Sequence, residues 1–157
     1  MTCGEGVVLL VEDSDDDARL IERAFRRTSL PSRLEVARSG AAAIAYAYGV
    51  APYDDRGRHP LPTLIILDLK MPGLDGYEVL KAIRARDVLR RVPVVVLTGV
   101  AGAASVRRTY DLGASVYFVK PSAGRGFARL AREIESYWRA FTEEGSLSSG
   151  ESDFERG

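Results

Sequence analysis

The stretch Leu64–Asp68, with the sequence LIILD, places four large apolar residues in a row and ends them on a carboxylate. A continuous apolar run of this length is typical of a strand covered on both faces, as in a parallel sheet with helices on each side. Because a carboxylate is costly to bury alone, Asp68 is expected at the strand end beside a partner or a cation. The stretch therefore predicts a buried parallel strand that ends in a polar site.

Outward from this strand, apolar runs alternate with helical patterns along the chain. Four further strands are predicted at residues 6–11, 34–36, 94–98 and 115–119. Helices are predicted at residues 14–28, 40–46, from 75 onward, at 103–112 and at 127–141. This alternation predicts an α/β domain with an open, doubly wound, five-stranded parallel sheet, five helices and right-handed crossovers. Ligands of such sheets bind beyond the carboxyl ends of the strands.

The composition limits the protein to few classes. With 157 residues and 46% hydrophobic content, the chain can bury the core of one domain and is too short for a second of ordinary size. Basic and acidic residues number 22 each, which disfavours direct binding to nucleic acid. The single cysteine excludes an internal disulfide, and neither a signal peptide nor a membrane-length apolar run of roughly 20 residues is present. We therefore expect a cytoplasmic protein that does not enter the membrane.

Two segments fall outside the alternating pattern. Residues 48–63 hold three prolines and two glycines between the second helix and the third strand, and are longer than the usual connection. They form either a loose loop or an arm that docks on something. Residues 143–157 are polar and rich in Gly, Ser and Glu, which predicts disorder. The predicted organisation is thus one domain at residues 1–142, followed by a disordered tail at 143–157.

Acidic side chains end two of the predicted strands. Glu12 and Asp13 follow the first strand, and Asp68 ends the third. If these strands are neighbours, three carboxylates converge at one edge of the sheet, where like charges repel unless a cation lies among them. Oxygen ligands without a nearby His or Cys favour a hard ion, and Mg²⁺ above others. The sequence therefore predicts a magnesium site.

The other strand ends add a hydroxyl and an ammonium group. Thr98 ends the fourth predicted strand, and Lys120 follows the fifth. This set suits phosphoryl transfer, in which a protein positions an in-line attack and balances the charge on the phosphoryl oxygens. Asp68 would be the nucleophile, Lys120 would neutralise charge, and Thr98 would donate a hydrogen bond to an oxygen.

Four blocks, LLVED, LDLKMPGLDG, VVVLTG and YFVKP, in this order and spacing resemble the receiver domain of two-component response regulators, over about residues 7–138. The resemblance implies a flavodoxin-like fold with strand order 2-1-3-4-5. It also implies a stand-alone switch, not a turnover enzyme, that accepts a phosphoryl group from a histidine kinase on Asp68. Such a switch catalyses its own phosphorylation and dephosphorylation, and signals by a surface change or by dimerisation.

The resemblance assigns further roles around the predicted metal. Asp13 would bind Mg²⁺ directly, and Glu12 would bind it through water. Lys70 would offer its main-chain carbonyl oxygen. Pro121 would follow a cis peptide bond after Lys120.

The resemblance also implies a pair of switch residues. Thr98 would move toward the phosphoryl group, and Tyr117 would turn inward behind it. For Tyr117, an ordinary half-buried position in the sheet is an open alternative, since aromatic residues favour strands.

A narrower resemblance is to stand-alone receivers associated with phytochrome-type histidine kinases. It rests on the long connection at 48–63 and on the aromatic end of the last helix. This group implies a homodimer and a bacteriophytochrome as the kinase partner. Tyr137, Trp138 and Phe141 are the predicted interface residues, with plain core packing as the alternative.

Two other functions stay open from the sequence. A receiver-like fold could serve protein contacts alone, although Asp13, Asp68, Thr98 and Lys120 speak against it. A Mg²⁺-dependent phosphohydrolase with an aspartyl intermediate would want a second acid two residues after the nucleophile, where Lys70 stands. A P-loop nucleotidase is disfavoured because no Gly-Lys-Ser/Thr sequence occurs.

Overall fold

The computed structural model describes the chain at residues 6–31, 33–71, 73, 75–99, 103–122 and 124–156, with side chains omitted at 103 and beyond 143. The strands are β1 (Val7–Val11), β2 (Arg33–Ala37), β3 (Leu64–Asp68), β4 (Val94–Thr98) and β5 (Val116–Val119). The α-helices are α1 (Asp15–Phe25), α2 (Gly40–Tyr48), α3 (Gly76–Ala85), α4 (Ala103–Asp111) and α5 (Arg125–Arg156). A short 3-10 turn, Asp87–Leu89, precedes β4.

The strands form one parallel sheet in the order β2-β1-β3-β4-β5. This confirms the predicted fold and makes β1 and β3 neighbours, with Val11 paired to Leu67. Each β–α–β crossover returns the chain to the same edge before the next strand, so that all strands run in one direction. The carboxyl ends of β1, β3, β4 and β5 consequently meet at a single edge.

The sheet is covered on both faces, which explains the continuous apolar runs. All five residues of β1, β3 and β4 are buried. Helices α2 and α3 cover one face, whose strand residues are Leu9, Val11, Ile65, Leu67, Val94 and Val96. Helices α1 and α5 cover the other, whose strand residues are Val8, Leu10, Leu64, Ile66, Val95 and Leu97. This burial on both sides fixes the strand ends that carry the polar residues.

Two helix starts are held next to the functional edge. Ser14 caps α1 by accepting a hydrogen bond from the Asp17 amide at 3.2 Å, and Asp75 caps α3 by accepting one from the Glu78 amide at 2.9 Å. Gly76 opens α3 against the loop after β3, where a Cβ atom would lie 2.5 Å from the Leu69 Cα atom. Glycine is therefore needed for this close approach.

The connection at residues 48–63 folds back onto α2. The Tyr46 hydroxyl donates to the Pro60 carbonyl at 2.8 Å, and the Arg56 guanidinium donates to the Ala47 carbonyl at 3.2 Å. The rings of Tyr53 and His59 contact each other and the Tyr46 ring, with centroids 5.0–5.8 Å apart. Of the two sequence-based alternatives, the docked arm describes this segment, and the surface on which it docks belongs to the same chain.

Helix α5 is described as far as Arg156, and the disorder predicted for residues 143–157 stays a prediction. One feature differs from the sequence-based expectations. Among the described residues, the cis peptide bond joins Ala51 to Pro52. The bond between Lys120 and Pro121 was predicted to be cis, and it is not. An X–Pro bond prefers trans by only about 0.5–1 kcal/mol, so local sequence does not decide the isomer. Within the described ranges, none of the helices has the length and apolarity needed to cross a membrane.

Candidate functional site

Lys120 joins the carboxyl ends of β1 and β3 at the functional edge. Its Nζ atom lies 2.5 Å from Glu12 Oε1, 3.0 Å from Asp68 Oδ2 and 2.7 Å from Asp17 Oδ2. The ammonium group has three N–H donors, and each of these carboxylates accepts one. Its side chain is 15% exposed, so the cation is largely removed from water. The residues predicted from separate strands thus meet around one cation.

The pKa of Lys120 reflects this surrounding. Burial by itself lowers the pKa of an ammonium group. The hydrogen bonds to Asp17, Glu12 and Asp68 act in the opposite direction, and together they raise the pKa of Lys120 above its ordinary value. Lys120 is therefore a permanent positive charge at physiological pH.

Glu12, Asp13 and Asp68 can each direct a carboxylate oxygen to a shared point. These oxygens lie within 4.8 Å of one another. Glu12 and Asp68 are buried, and Asp13 is exposed at the mouth of the site. The pKa of Glu12 is raised to about 7, mainly by burial, with the hydrogen bond to Lys120 acting against the rise and the charge of Asp68 adding to it. A site of oxygen ligands with excess negative charge suits a hard divalent cation.

One main-chain and one side-chain donor orient the carboxylate of Asp68. The Lys70 amide donates to Asp68 Oδ1 at 3.1 Å, while Asp68 Oδ2 accepts from Lys120. Both carboxylate oxygens therefore have hydrogen-bond donors within the protein, which a residue only 4% exposed to water needs. The predicted roles of the Lys70 carbonyl as a metal ligand and of Asp68 as the phosphoacceptor stay predictions.

Thr98 and Tyr117, the predicted switch pair, lie on adjacent strands. Thr98 ends β4 and is 6% exposed, and its carbonyl accepts from the Lys120 amide at 2.7 Å. Tyr117 is half-buried in β5 and packs on the face covered by α2 and α3. Burial raises the pKa of Tyr117, and nearby Tyr77 adds to the effect. The structure thus brings Thr98 next to Lys120 through the backbone, whereas movement of the pair stays a prediction.

Asp17 is a site residue that the sequence reasoning missed. Its amide donates to the Ser14 cap, and its carboxylate pairs with Lys120. The first turn of α1 thus directs one further carboxylate toward the strand ends. No local signal singled out Asp17, because Asp15 and Asp16 are equally acidic members of the same turn.

The predicted interface residues divide into two kinds. Tyr137 and Trp138 are half-buried and pack against the core on the face covered by α1 and α5. Phe141 is 38% exposed, and its ring stacks on the Trp138 ring with centroids 6.0 Å apart. Tyr137 and Trp138 thus have a packing role, and their predicted part in an interface stays a prediction, as does that of Phe141.

Comparison with known proteins finds relatives along most of the chain. The family model described as response regulator receiver domain matches residues 8–131. The probable methanogenesis regulatory protein FilR2 of Methanothrix harundinacea is 39% identical, over 84% of this chain and 83% of its own length. Response regulator Rcp1 of Synechocystis is 36% identical, over 84% of this chain and 88% of its own length.

Solved structures show the same likeness. The Mn(2+)-bound form of Rcp1 matches with a TM-score of 0.77 at 36% identity, and covers 85% of this chain and 94% of that one. The phosphorylated cyanobacterial phytochrome response regulator RcpA matches with a TM-score of 0.78 at 33% identity, with the same coverage of 85% and 94%.

Proposed function

This chain belongs to the family of response regulator receiver domains, and from that membership we propose that it is a phosphorylation-controlled switch whose phosphoacceptor is Asp68. The observation that carries the proposal is the contact between Lys120 and Asp68 at 3.0 Å, beside the buried Glu12. A carboxylate with an adjacent fixed cation can attack a phosphoryl group while the cation balances the charge of its oxygens. The likeness to a phosphorylated response regulator supports the same reaction.

In the proposed step, a carboxylate oxygen of Asp68 attacks the phosphorus atom of a phosphohistidine on a kinase. The O–P bond forms as the P–N bond breaks, and the departing imidazole takes up a proton. Lys120 donates to a phosphoryl oxygen, and Thr98 donates to another. In the reverse direction of the switch, water attacks phosphorus, the bond to Asp68 breaks, and phosphate leaves.

The resident ion that we propose is Mg²⁺. Glu12, Asp13 and Asp68 would hold it, with the main-chain carbonyl of Lys70, and their oxygen-only donor set fits a hard divalent cation. When bound, Mg²⁺ supplies positive charge for the phosphoryl oxygens. The likeness to the Mn(2+)-bound form of Rcp1 supports a divalent ion at this edge.

A small phosphodonor tests the phosphoacceptor role directly. Acetyl phosphate with Mg²⁺ should label the wild-type protein and add one phosphoryl group by intact mass, whereas Asp68→Asn should stay unlabelled because an amide is not a nucleophile here. Asp75→Asn is the matched control, since Asp75 follows the same strand but caps α3. An unlabelled wild-type protein would reject the proposed function and favour a module for protein contacts alone.

The proposed partner is a histidine kinase, and its proposed class is a bacteriophytochrome. Likeness to phytochrome response regulators supports this class. Phosphotransfer from purified kinases of the same organism should be fastest from a phytochrome-type kinase. Equal or faster transfer from an unrelated histidine kinase would contradict the proposed pairing.

We also propose a homodimer that uses the aromatic end of α5. Phe141 supports this, because a large exposed ring at the end of an apolar stripe is typical of a contact surface. Light scattering at micromolar concentration should give a dimer mass for the wild type and a monomer for Phe141→Glu. Val88→Glu, which changes another exposed apolar residue, should leave the dimer intact. A monomeric wild type, with or without phosphorylation, would contradict the dimer.

A further inference from the structure

Asp17 reaches the phosphorylation site from a different side than the strand-end acids. It lies in the first turn of α1, and its Oδ2 atom is 2.7 Å from the Lys120 Nζ atom. Its own amide is used by the Ser14 cap, so the position of its main chain is fixed. The contact therefore links the start of α1 to the end of β5 across the site.

All three N–H groups of Lys120 have acceptors in this arrangement. Its three N–H groups are matched by Glu12, Asp17 and Asp68. When a phosphoryl group is attached to Asp68, that carboxylate loses its charge, and the N–H group aimed at it becomes available for a phosphoryl oxygen. Glu12 and Asp17 remain in place as acceptors of the other two N–H groups.

We propose that Asp17 is a positioning residue for Lys120 in phosphoryl transfer, an inference that rests on the proposed function of Asp68. A lysine side chain has four flexible carbons, and a single acceptor leaves its ammonium free to swing. Glu12, which is fully buried on the β1 side, and Asp17 on the α1 side hold it from two directions. The remaining N–H group is then fixed toward Asp68 before the phosphoryl group arrives.

The neighbouring Asp16 provides a matched control. It lies in the same first turn of α1 and has the same charge, but it is exposed. Replacing either residue removes one negative charge from the start of α1, with the same effect on the helix dipole. Replacing Asp17 also leaves the Ser14 cap intact, because that cap uses the main-chain amide. Differences between Asp17→Ala and Asp16→Ala therefore report on Lys120.

Lysine-selective isotope labelling tests the positioning without phosphorylation. The sequence has only three lysines, Lys70, Lys81 and Lys120, so three ammonium signals are expected in an NMR spectrum. Exchange of the Lys120 ammonium protons with water should be about fivefold faster in Asp17→Ala, as expected for loss of one charge-assisted hydrogen bond. Asp17→Asn should be intermediate, because an amide oxygen still accepts. Asp16→Ala should match the wild type, and unchanged exchange at Lys120 in Asp17→Ala would overturn the inference.

The rate of labelling by acetyl phosphate tests the consequence. It should fall about tenfold in Asp17→Ala and about threefold in Asp17→Asn, and Asp16→Ala should stay within about twofold of wild type. Equal rates for Asp17→Ala and Asp16→Ala would overturn the inference while the labelled wild type upholds the proposed function. If the wild type is not labelled, the proposed function fails and the positioning role in phosphoryl transfer fails with it, even where proton exchange shows that Asp17 holds Lys120.

Discussion

Two partly buried cations lie at opposite ends of the sheet and are held in different ways. Lys120, after β5, donates to three carboxylates. Arg84, near the end of α3, lies close to the amino ends of β4 and β5 and donates to the Gly113 and Val92 carbonyls at 2.8 and 2.7 Å. It also donates to the Leu89 carbonyl at 2.9 Å. Among the described residues, no ion pair includes Arg84.

The difference appears in the pKa values of the two cations, and it fits a structural role for Arg84 and the proposed role of Lys120 in phosphoryl transfer. Burial lowers the pKa of Arg84, and the pKa of Lys120 is raised by its three carboxylates in spite of burial. Main-chain carbonyls cannot leave, so Arg84 is a fixed connection between α3 and the strands. A carboxylate that gives up its charge releases its donor, so Lys120 can exchange one partner for another. Neutral partners thus suit a structural cation, and charged partners suit a cation that takes part in a reaction.

The largest expected effect is on stability, at the Arg84 end. Arg84→Met should lower the free energy of unfolding by about 3 kcal/mol, because several partly buried carbonyls lose their donors together. Urea unfolding measures this free energy. Arg90→Met, which removes an exposed guanidinium paired with Asp87, should change it by less than about 0.5 kcal/mol. Labelling by acetyl phosphate should be retained in both variants. Similar losses of stability in Arg84→Met and Arg90→Met would contradict the structural role of Arg84.

At the other end, the expected effect is on the reaction. Lys120→Met should slow labelling by acetyl phosphate at least tenfold, because the reaction loses a charged donor to the phosphoryl oxygens. It should also lower the melting temperature of the metal-free protein, since three carboxylates lose their cation, and Mg²⁺ should restore much of it. Lys81→Met, at an exposed position of α3, is the control. Wild-type labelling in Lys120→Met would contradict the exchange of partners.

A smaller effect is expected at Glu135, an anion held mainly by neutral donors. Its Oε2 atom accepts from the Ser29 amide at 2.5 Å and the Ser29 hydroxyl at 2.7 Å, and these bonds lower the pKa of Glu135 with help from Arg139. Because the pKa of Glu135 is lower in the folded state than in the unfolded state, its ionised form stabilises the fold at pH values above the unfolded-state pKa. This stabilisation is lost as the pH falls through the folded-state pKa.

Glu135→Gln should therefore lower the free energy of unfolding by about 1 kcal/mol at pH 7 and by less under acid conditions. Urea unfolding between pH 7 and pH 3 measures this. Glu133→Gln serves as the control, because the ion pair of Glu133 with Arg129 is exposed to water. A difference between wild type and Glu135→Gln that does not shrink toward acid would contradict the assignment.

The sheet and the strand-end acids could be predicted because each depends on a short, local pattern. An uninterrupted apolar run such as that of β3 has few alternatives to burial on both faces, and the polar residue after it must then lie at the edge. The same reasoning grouped Glu12, Asp13 and Asp68 before the order of the strands was known.

Features that depend on distant contacts could not be predicted in this way. Asp17 and Lys120 lie far apart in the chain, and nothing in the local pattern of α1 distinguishes Asp17 from Asp16. Arg84 was missed because most of its acceptors are main-chain carbonyls, which every residue carries. The isomer of the bond before Pro121 was predicted from the family resemblance alone, and in an ordered segment the tertiary surroundings, not the local sequence, decide it.

The main chain at Thr98 is restrained on both sides, and this limits how a switch can operate there. The Leu69 amide donates to the Leu97 carbonyl at 3.0 Å, and the Lys120 amide donates to the Thr98 carbonyl at 2.7 Å. A shift of the end of β4 would break one of these two hydrogen bonds to the neighbouring chain segments. Rotation about the Thr98 Cα–Cβ bond breaks neither of them. Signal initiation at this residue would then proceed on the timescale of side-chain rotation, and any slower phase would arise from the helices and loops that respond to it.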